Sequence, residues 1–218
     1  MTLKDSLFAC IIIFVWGLNF VVLAIGLKEV PPLLLGGLRF LVVAGLGCLL
    51  IKRPKVPIKW WFLYAIPIGF LQFVFLFIAM AKGMPAGLAS LILQSQALFT
   101  LLFSSVLLKE TVRIHHILAL CLASVGLGII AIKTQSENMT FFGFILTLFA
   151  AISWAVGNIS SRKMSELGYP VNINLVIWSS WIPPIPFFVL SYYLEGSEVI
   201  HSASVSYTHL TLPTIYSV

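Results

Sequence analysis

The stretch Leu7-Phe-Ala-Cys-Ile-Ile-Ile-Phe-Val-Trp-Gly-Leu-Asn-Phe-Val-Val-Leu-Ala-Ile-Gly-Leu27 decides the fold. It runs 21 residues without a charge. At 1.5 Å of rise per residue, about 20 apolar residues carry a helix across a hydrocarbon core of roughly 30 Å. A secretory leader has a shorter apolar core and ends in a small-residue cleavage site. Neither is present, so this run is expected to remain in place as a helix.

Six more runs of the same kind follow: Leu33–Ile51, Trp61–Met80, Leu88–Leu108, Ile114–Ile132, Phe141–Ser160 and Leu175–Tyr193. Within lipid each backbone must satisfy its own hydrogen bonds, which leaves helices or a closed barrel. The apolar/polar alternation of a barrel strand is absent. The expected fold is therefore an all-α, polytopic membrane bundle with seven transmembrane helices. Short loops marked by Pro31-Pro32, Pro54, Pro57, Pro85, Gly87 and Gly168-Tyr169-Pro170 separate them. Pro67, Pro183, Pro184 and Pro186 lie inside runs and should kink them, with the largest break at Pro183-Pro184.

Composition supports this reading. The chain has 218 residues, 60% of them hydrophobic and 9% charged, whereas soluble domains carry about 25% charged residues. The net charge of +6 forms no continuous basic stripe, which argues against a nucleic-acid partner. The basic residues sit instead in the loops. Lys4, Lys52, Arg53, Lys55, Lys59, Lys109, Arg113, Arg162 and Lys163 fall on one side, and Lys28, Lys82 and Lys133 on the other. That excess is expected to place the N-terminus in the cytoplasm. Cys10, Cys48 and Cys121 lie in apolar runs without disulfide spacing. No Cys/His cluster suggests a metal, and no cofactor is expected.

Two short stretches echo one another: Val15-Trp16-Gly17-Leu18-Asn19-Phe20 in the first run and Ser153-Trp154-Ala155-Val156-Gly157-Asn158 in the sixth. The second begins five spans after the first, an odd number, so the second copy runs in the opposite direction. This is the arrangement of an inverted repeat, common among secondary transporters. It predicts a first five-helix unit over residues 1–133 and the start of a second over 134–204, of an expected ten helices in all. The end of the chain is expected to be foreign. Val205-Ser-Tyr-Thr-His-Leu-Thr-Leu-Pro-Thr214 back-translates to a sequence resembling a transposase adapter used in sequencing libraries. Residues 205–218 are therefore set aside, and the native protein is expected to continue with three more spans.

Polar groups at membrane depth are costly and usually face protein or water. Arg39 is the one charged residue well inside a span. It either snorkels to the outer interface or offers its guanidinium fork to a substrate carboxylate. Trp16 and Asn19, three apart, share a helix face, as do Trp154 and Asn158, four apart. The two faces either line one cavity or hold helices together through the Asn amides. In the fourth span Gln94 is expected in the cavity, with Gln96 left to packing between the two units. Gln72 in the third span is a further candidate. Trp178 and Trp181 fit a core, an interface or a substrate wall equally. Ala119, Ala123, Ser124, Gly126 and Gly128 give the fifth span small-residue faces suited to close packing, and compatible with a homodimer. No Asp or Glu falls at mid-membrane, so a coupling proton would need Glu110, His115 or helices beyond this sequence.

The chain resembles the drug/metabolite transporter superfamily and its EamA-type members. The residues that carry the likeness are Val15–Phe20, Pro31–Phe40, Gly83-Met84-Pro85-Ala86-Gly87-Leu88-Ala89-Ser90, Lys109-Glu110 and the Gly126–Gly128 region. Gly83–Gln96 and Leu175-Val176-Ile177-Trp178-Ser179 bring it nearest to exporters of O-acetylserine and cysteine. The resemblance covers residues 1–203. It implies ten helices in two inverted units and export of an amino-acid-like small molecule through a bacterial inner membrane, coupled to an ion gradient. The other readings are an exporter of another amino acid or drug-like metabolite, a non-transporting membrane subunit, and a membrane enzyme. An enzyme would need clustered His, Asp or Ser groups with a base in reach, and the spans hold none. Amplifying the locus from source DNA is expected to return a reading frame that departs from this sequence near Val205; finding the same tail in the gene would refute the foreign-tail reading.

Overall fold

A computed structural model describes residues 3–111, 113–133 and 140–196; the tail at 205–218 lies outside them. The secondary structure is helical, with no strand among the described residues. The helices are α1 (Leu3–Glu29), α2 (Pro32–Leu50), α3 (Ile58–Ala65), α4 (Gln72–Ala81), α5 (Ala86–Leu93), α6 (Gln96–Leu107), α7 (Ile114–Lys133), α8 (Phe141–Glu166), α9 (Ile173–Ser179) and α10 (Pro184–Leu194). A π-helical turn, Ile66–Leu71, joins α3 to α4. These helices make seven segments at the positions of the seven apolar runs. Six of the segments are long and apolar enough to cross a membrane. In the fifth, α7 is 20 residues long, but its described apolar part, Ile114–Gly126, is shorter than a full crossing.

Three segments are interrupted, and each interruption has a local cause. Pro67 has no N–H to give to the helix, and the chain there widens into the π turn. The Gln72 N–H then reaches back to the Pro67 carbonyl. Between α9 and α10 the break falls at Ser180–Pro183, as the proline cluster predicts. The break between α5 and α6 has no such marker in the sequence, neither Gly nor Pro. There the Ser95 N–H donates to the Ile92 carbonyl, Ala97 to Gln94 and Leu98 to Ser95. These bonds, each spanning three residues, tighten the helix into a single narrow turn.

The packing centres on α8. Its small residues Gly143, Ala150, Ala151, Ser153, Ala155 and Gly157 are buried and let α4, α6 and the π turn approach closely. Thr140 caps α8 by accepting from the Gly143 N–H, and its hydroxyl donates to the Lys82 carbonyl at the end of α4. The main core lies at this end of the bundle, opposite the N-terminus. It joins Phe20 and Leu23 of α1, Leu76, Phe77 and Ala79 of α4, Ile92 and Leu93 of α5, and Phe144, Ala150 and Ala151 of α8. A smaller cluster of Val56, Trp61, Met164 and Leu175 closes part of the opposite face.

α2 and the α9–α10 segment run antiparallel and are tied at both ends. At one end the Glu195 carboxylate accepts the Leu33 N–H at 2.7 Å and the Leu34 N–H at 3.1 Å. These belong to the free N–H groups that every helix start leaves. Ser191 donates to the same carboxylate. At the other end Trp178 Nε1 donates to the Ile51 carbonyl at 2.9 Å and Asn174 to that of Lys52 at 3.0 Å. Trp181 Nε1 donates to Cys48 Sγ. Trp178 and Trp181 thus both tie the α9–α10 segment to the end of α2.

The small-residue faces of α7 depart from expectation, because they are not packed. Ala119, Ser124 and Gly128 are exposed, and a Cβ on Gly126 or Gly128 would meet nothing within 4 Å. The short loop from α6 leaves α7 leaning on α6 at the rim of the bundle.

Glycine matters most where α2 meets α10. A Cβ on Gly36 would lie 2.6 Å from the ring of Phe187, which is fully buried and has no room to yield. Gly36→Ala is therefore expected to cost about 1–3 kcal/mol through overpacking, read as a lower unfolding midpoint of the purified protein in detergent. Gly45→Ala meets open space and should leave the midpoint unchanged or raise it, by removing a poor helix former.

Candidate functional site

Between the main core and the N-terminal face lies a cavity of about 680 Å³. Binding sites for small molecules typically fall between roughly 300 and 1,000 Å³. Its wall is mostly apolar. α1 supplies Ile11, Ile12, Val15 and Phe20, α2 supplies Phe40 and Val43, and the π turn supplies Ile68 and Gly69. α1 holds to the bundle through Phe20 and Leu23, while most of the side chains from Lys4 to Leu18 are exposed. One side of the cavity is therefore bounded by only the first half of α1.

The polar groups on this wall are few. Arg39 enters from the middle of α2, with its guanidinium carbon 4.6 Å from the centre of the Phe73 ring. Its Nη1 is buried and has no hydrogen-bond partner. Gln72 opens α4 immediately after the π turn. It is 4% exposed, and its Oε1 also lacks a partner. Trp16 and Trp154 stack on one another at the cavity wall, ring centres 5.2 Å apart and planes 21° from parallel. Asn19 lies one turn along α1 from Trp16.

Of the seven candidates from sequence, the fold gathers five around one cavity: Trp16, Asn19, Arg39, Gln72 and Trp154. The placement of the other two needs correction. Gln94 is not in the cavity; it is exposed at the end of α5, where the tight turn carries it outward. Asn158 also lies off the cavity. Its amide donates to Gln96 Oε1 at 2.8 Å and to Thr100 Oγ1 at 3.1 Å, joining α8 to α6. Trp154 and Asn158 are four apart but reach different neighbours, because α8 is surrounded on several sides.

Tyr64, Ser179 and Ser180 also line the cavity, and the sequence reading does not single them out. The two serines do carry a readable signal, a polar pair just before the proline break. Their hydroxyls donate back to the Val176 carbonyl at 3.1 and 2.7 Å, a common way to satisfy hydroxyls in apolar helices. Among the described residues, no carboxylate or imidazole is on the wall. Glu110, a candidate for ion coupling, pairs with Arg162 at 2.6 Å near the ends of α6 and α8.

Residues 4–132 match the model of the EamA-like transporter family. The chain is also 46% identical over 205 residues to an Escherichia coli protein named "Probable amino-acid metabolite efflux pump". The chain belongs to the EamA-like transporter family. That alignment spans 93% of this chain and 69% of the relative. A Salmonella typhimurium protein of the same name is 42% identical over 214 residues, covering 97% of this chain and 72% of its own length. An uncharacterized inner membrane transporter of Escherichia coli shares 30% identity over 173 residues, or 76% and 55% of the two chains.

The Asn158 contact yields a test. Hydrogen bonds between membrane helices contribute about 0.6 kcal/mol on average, up to about 1.7. Asn158→Ala removes two and leaves Gln96 Oε1 with only its longer contact to Thr100, at 3.4 Å. A lowered unfolding midpoint in detergent is expected. Gln94→Ala, at an exposed position, should not shift it.

Proposed function

We propose that this EamA-like transporter exports an amino-acid-like metabolite, such as cysteine or O-acetylserine, across a bacterial inner membrane, and that the cavity beside Arg39 is its substrate site. The observation that carries the proposal is the buried, unpartnered guanidinium nitrogen of Arg39 at the wall of a mostly apolar cavity within the membrane-spanning helices. A charge at the centre of a membrane helix costs about 2.5–3.5 kcal/mol on insertion scales. The Phe73 ring offsets part of that cost. A ligand carboxylate would supply the missing counter-charge through paired N–H···O bonds.

The names of the E. coli and Salmonella relatives agree with this substrate class, as does the likeness of Gly83–Gln96 to exporters of cysteine-pathway metabolites. On this reading residues 1–133 form one unit and 134–204 begin an inverted second one. The excess of Lys and Arg on the side of Lys4 puts the N-terminus in the cytoplasm. The half of the cavity bounded by the start of α1 then faces the cytoplasm, the side from which an exporter loads. The stacked Trp16 and Trp154 would come one from each unit and meet across the path.

The test is export from cells that overexpress the protein, with extracellular cysteine and O-acetylserine measured against an empty-vector control. The expected result is a rise in one or both. Arg39→Ala should lower export at least about tenfold, since hydrogen bonds to charged groups are worth about 1.5–3 kcal/mol. Asn19→Ala should lower it less, with both variants inserted normally. Unchanged extracellular levels with confirmed insertion would contradict the substrate; full export by both variants would remove these residues from the site.

A further inference from the structure

We infer that Gln72 is the second pole of the substrate site, accepting the ammonium of a zwitterion whose carboxylate lies on Arg39; this rests on the transport reading above. Two buried polar atoms on the cavity wall lack partners, and they are of opposite kinds. Arg39 Nη1 only donates, and Gln72 Oε1 only accepts. They do not satisfy one another. A buried donor or acceptor left unsatisfied costs about 1–3 kcal/mol, so an empty site carries two such penalties at once. A carboxylate relieves only the first and an amine only the second. An α-amino acid presents both groups on one carbon and relieves both.

The backbone shows how Gln72 comes to be there. The π turn inserts one residue into the segment, and an added residue rotates the downstream helix by about 100°. Gln72 and Phe73 stand directly after it, one bringing its amide side chain to the cavity wall and the other its ring to Arg39. The turn is held by two close contacts. A Cβ on Gly69 would lie 2.7 Å from Pro183 Cγ, and one on Gly157 would lie 2.6 Å from Ile68 Cβ. The α9–α10 break and α8 therefore fix the rotation from two sides. The Trp16 and Trp154 rings add faces that attract a cation. Arg39 is the one charged residue on the wall among the described residues. A second carboxylate or a second ammonium on the substrate would find no counter-charge, which favours neutral side chains.

The full chain in proteoliposomes tests this with three thiols under reducing conditions: L-cysteine, 3-mercaptopropionate, which lacks the ammonium, and cysteamine, which lacks the carboxylate. Flux is corrected for protein-free vesicles. The wild type is expected to move cysteine at least about tenfold better than either analogue. Gln72→Met, similar in size but without the carbonyl, should bring the ratio of cysteine to 3-mercaptopropionate near one while cysteine stays ahead of cysteamine. Variants are compared as matched amounts of protein eluting as a single folded species. Should Gln72→Met fail that criterion, Gln72→Asn replaces it; its carbonyl is one methylene short, and the same ratio should fall partway. A ratio unchanged in the folded variant overturns the inference and leaves the transport reading intact. A wild type that moves cysteine without preferring it over the analogues does the same. A wild type that moves none of the three above leak overturns both.

Discussion

A guanidinium nitrogen buried among apolar helices with no counter-charge beside it is the constraint around which the middle of this bundle is organised. Several of the described carboxylates are engaged elsewhere. Glu195 accepts the first free N–H groups of α2, Glu110 pairs with Arg162, and Glu166 pairs with Lys163. Arg39 is met instead by an aromatic face and lies on the wall of a cavity that Gln72, with its unpartnered carbonyl, also lines. Such an arrangement stabilises nothing while empty. On the proposed reading, these unsatisfied groups are positions for a ligand.

The rest of the packing keeps that arrangement rigid. Lipid offers helices no hydrophobic reason to associate, so contact area comes from small residues that let backbones close in. Here Gly69 closes against Pro183 and Gly157 against Ile68 at the edge of the cavity, and Gly36 closes against Phe187 between α2 and α10. The two long-range polar ties of α2, to Glu195 at one end and to Asn174 and Trp178 at the other, hold Arg39 between fixed points. By contrast the first half of α1 makes little contact with the bundle. The cavity thus has rigid walls on α2, α4 and α8 and a loosely held wall on α1, a division suited to alternating access.

Much of this is legible in the sequence. Hydropathy and the backbone's need for internal hydrogen bonds are enough for the helical membrane bundle and for the positions of its segments. The expense of polar side chains at depth is enough to pick out Arg39, Gln72, Asn19 and the two tryptophans. The parts that sequence does not show depend on rotation. The tight turn at Gln94–Ser95 carries no Gly or Pro, so a continuous helix points Gln94 inward when it in fact faces out. Asn158 shares a nominal face with Trp154, yet α8 is surrounded and each side chain meets a different neighbour. Pro67 predicts a kink, and a π turn is found there. Its consequence, a rotation of Gln72 toward the cavity, comes from one extra residue in the turn and requires coordinates to see.

The central claim is that the missing counter-charge of Arg39 is a ligand carboxylate. Equilibrium binding by calorimetry, using the purified full chain with L-cysteine and with its methyl ester, tests it directly, because the ester masks that one group. The account predicts that the wild type binds cysteine at least about tenfold more tightly than the ester, and that Arg39→Met binds the two alike. A wild type that binds acid and ester with equal affinity would contradict it.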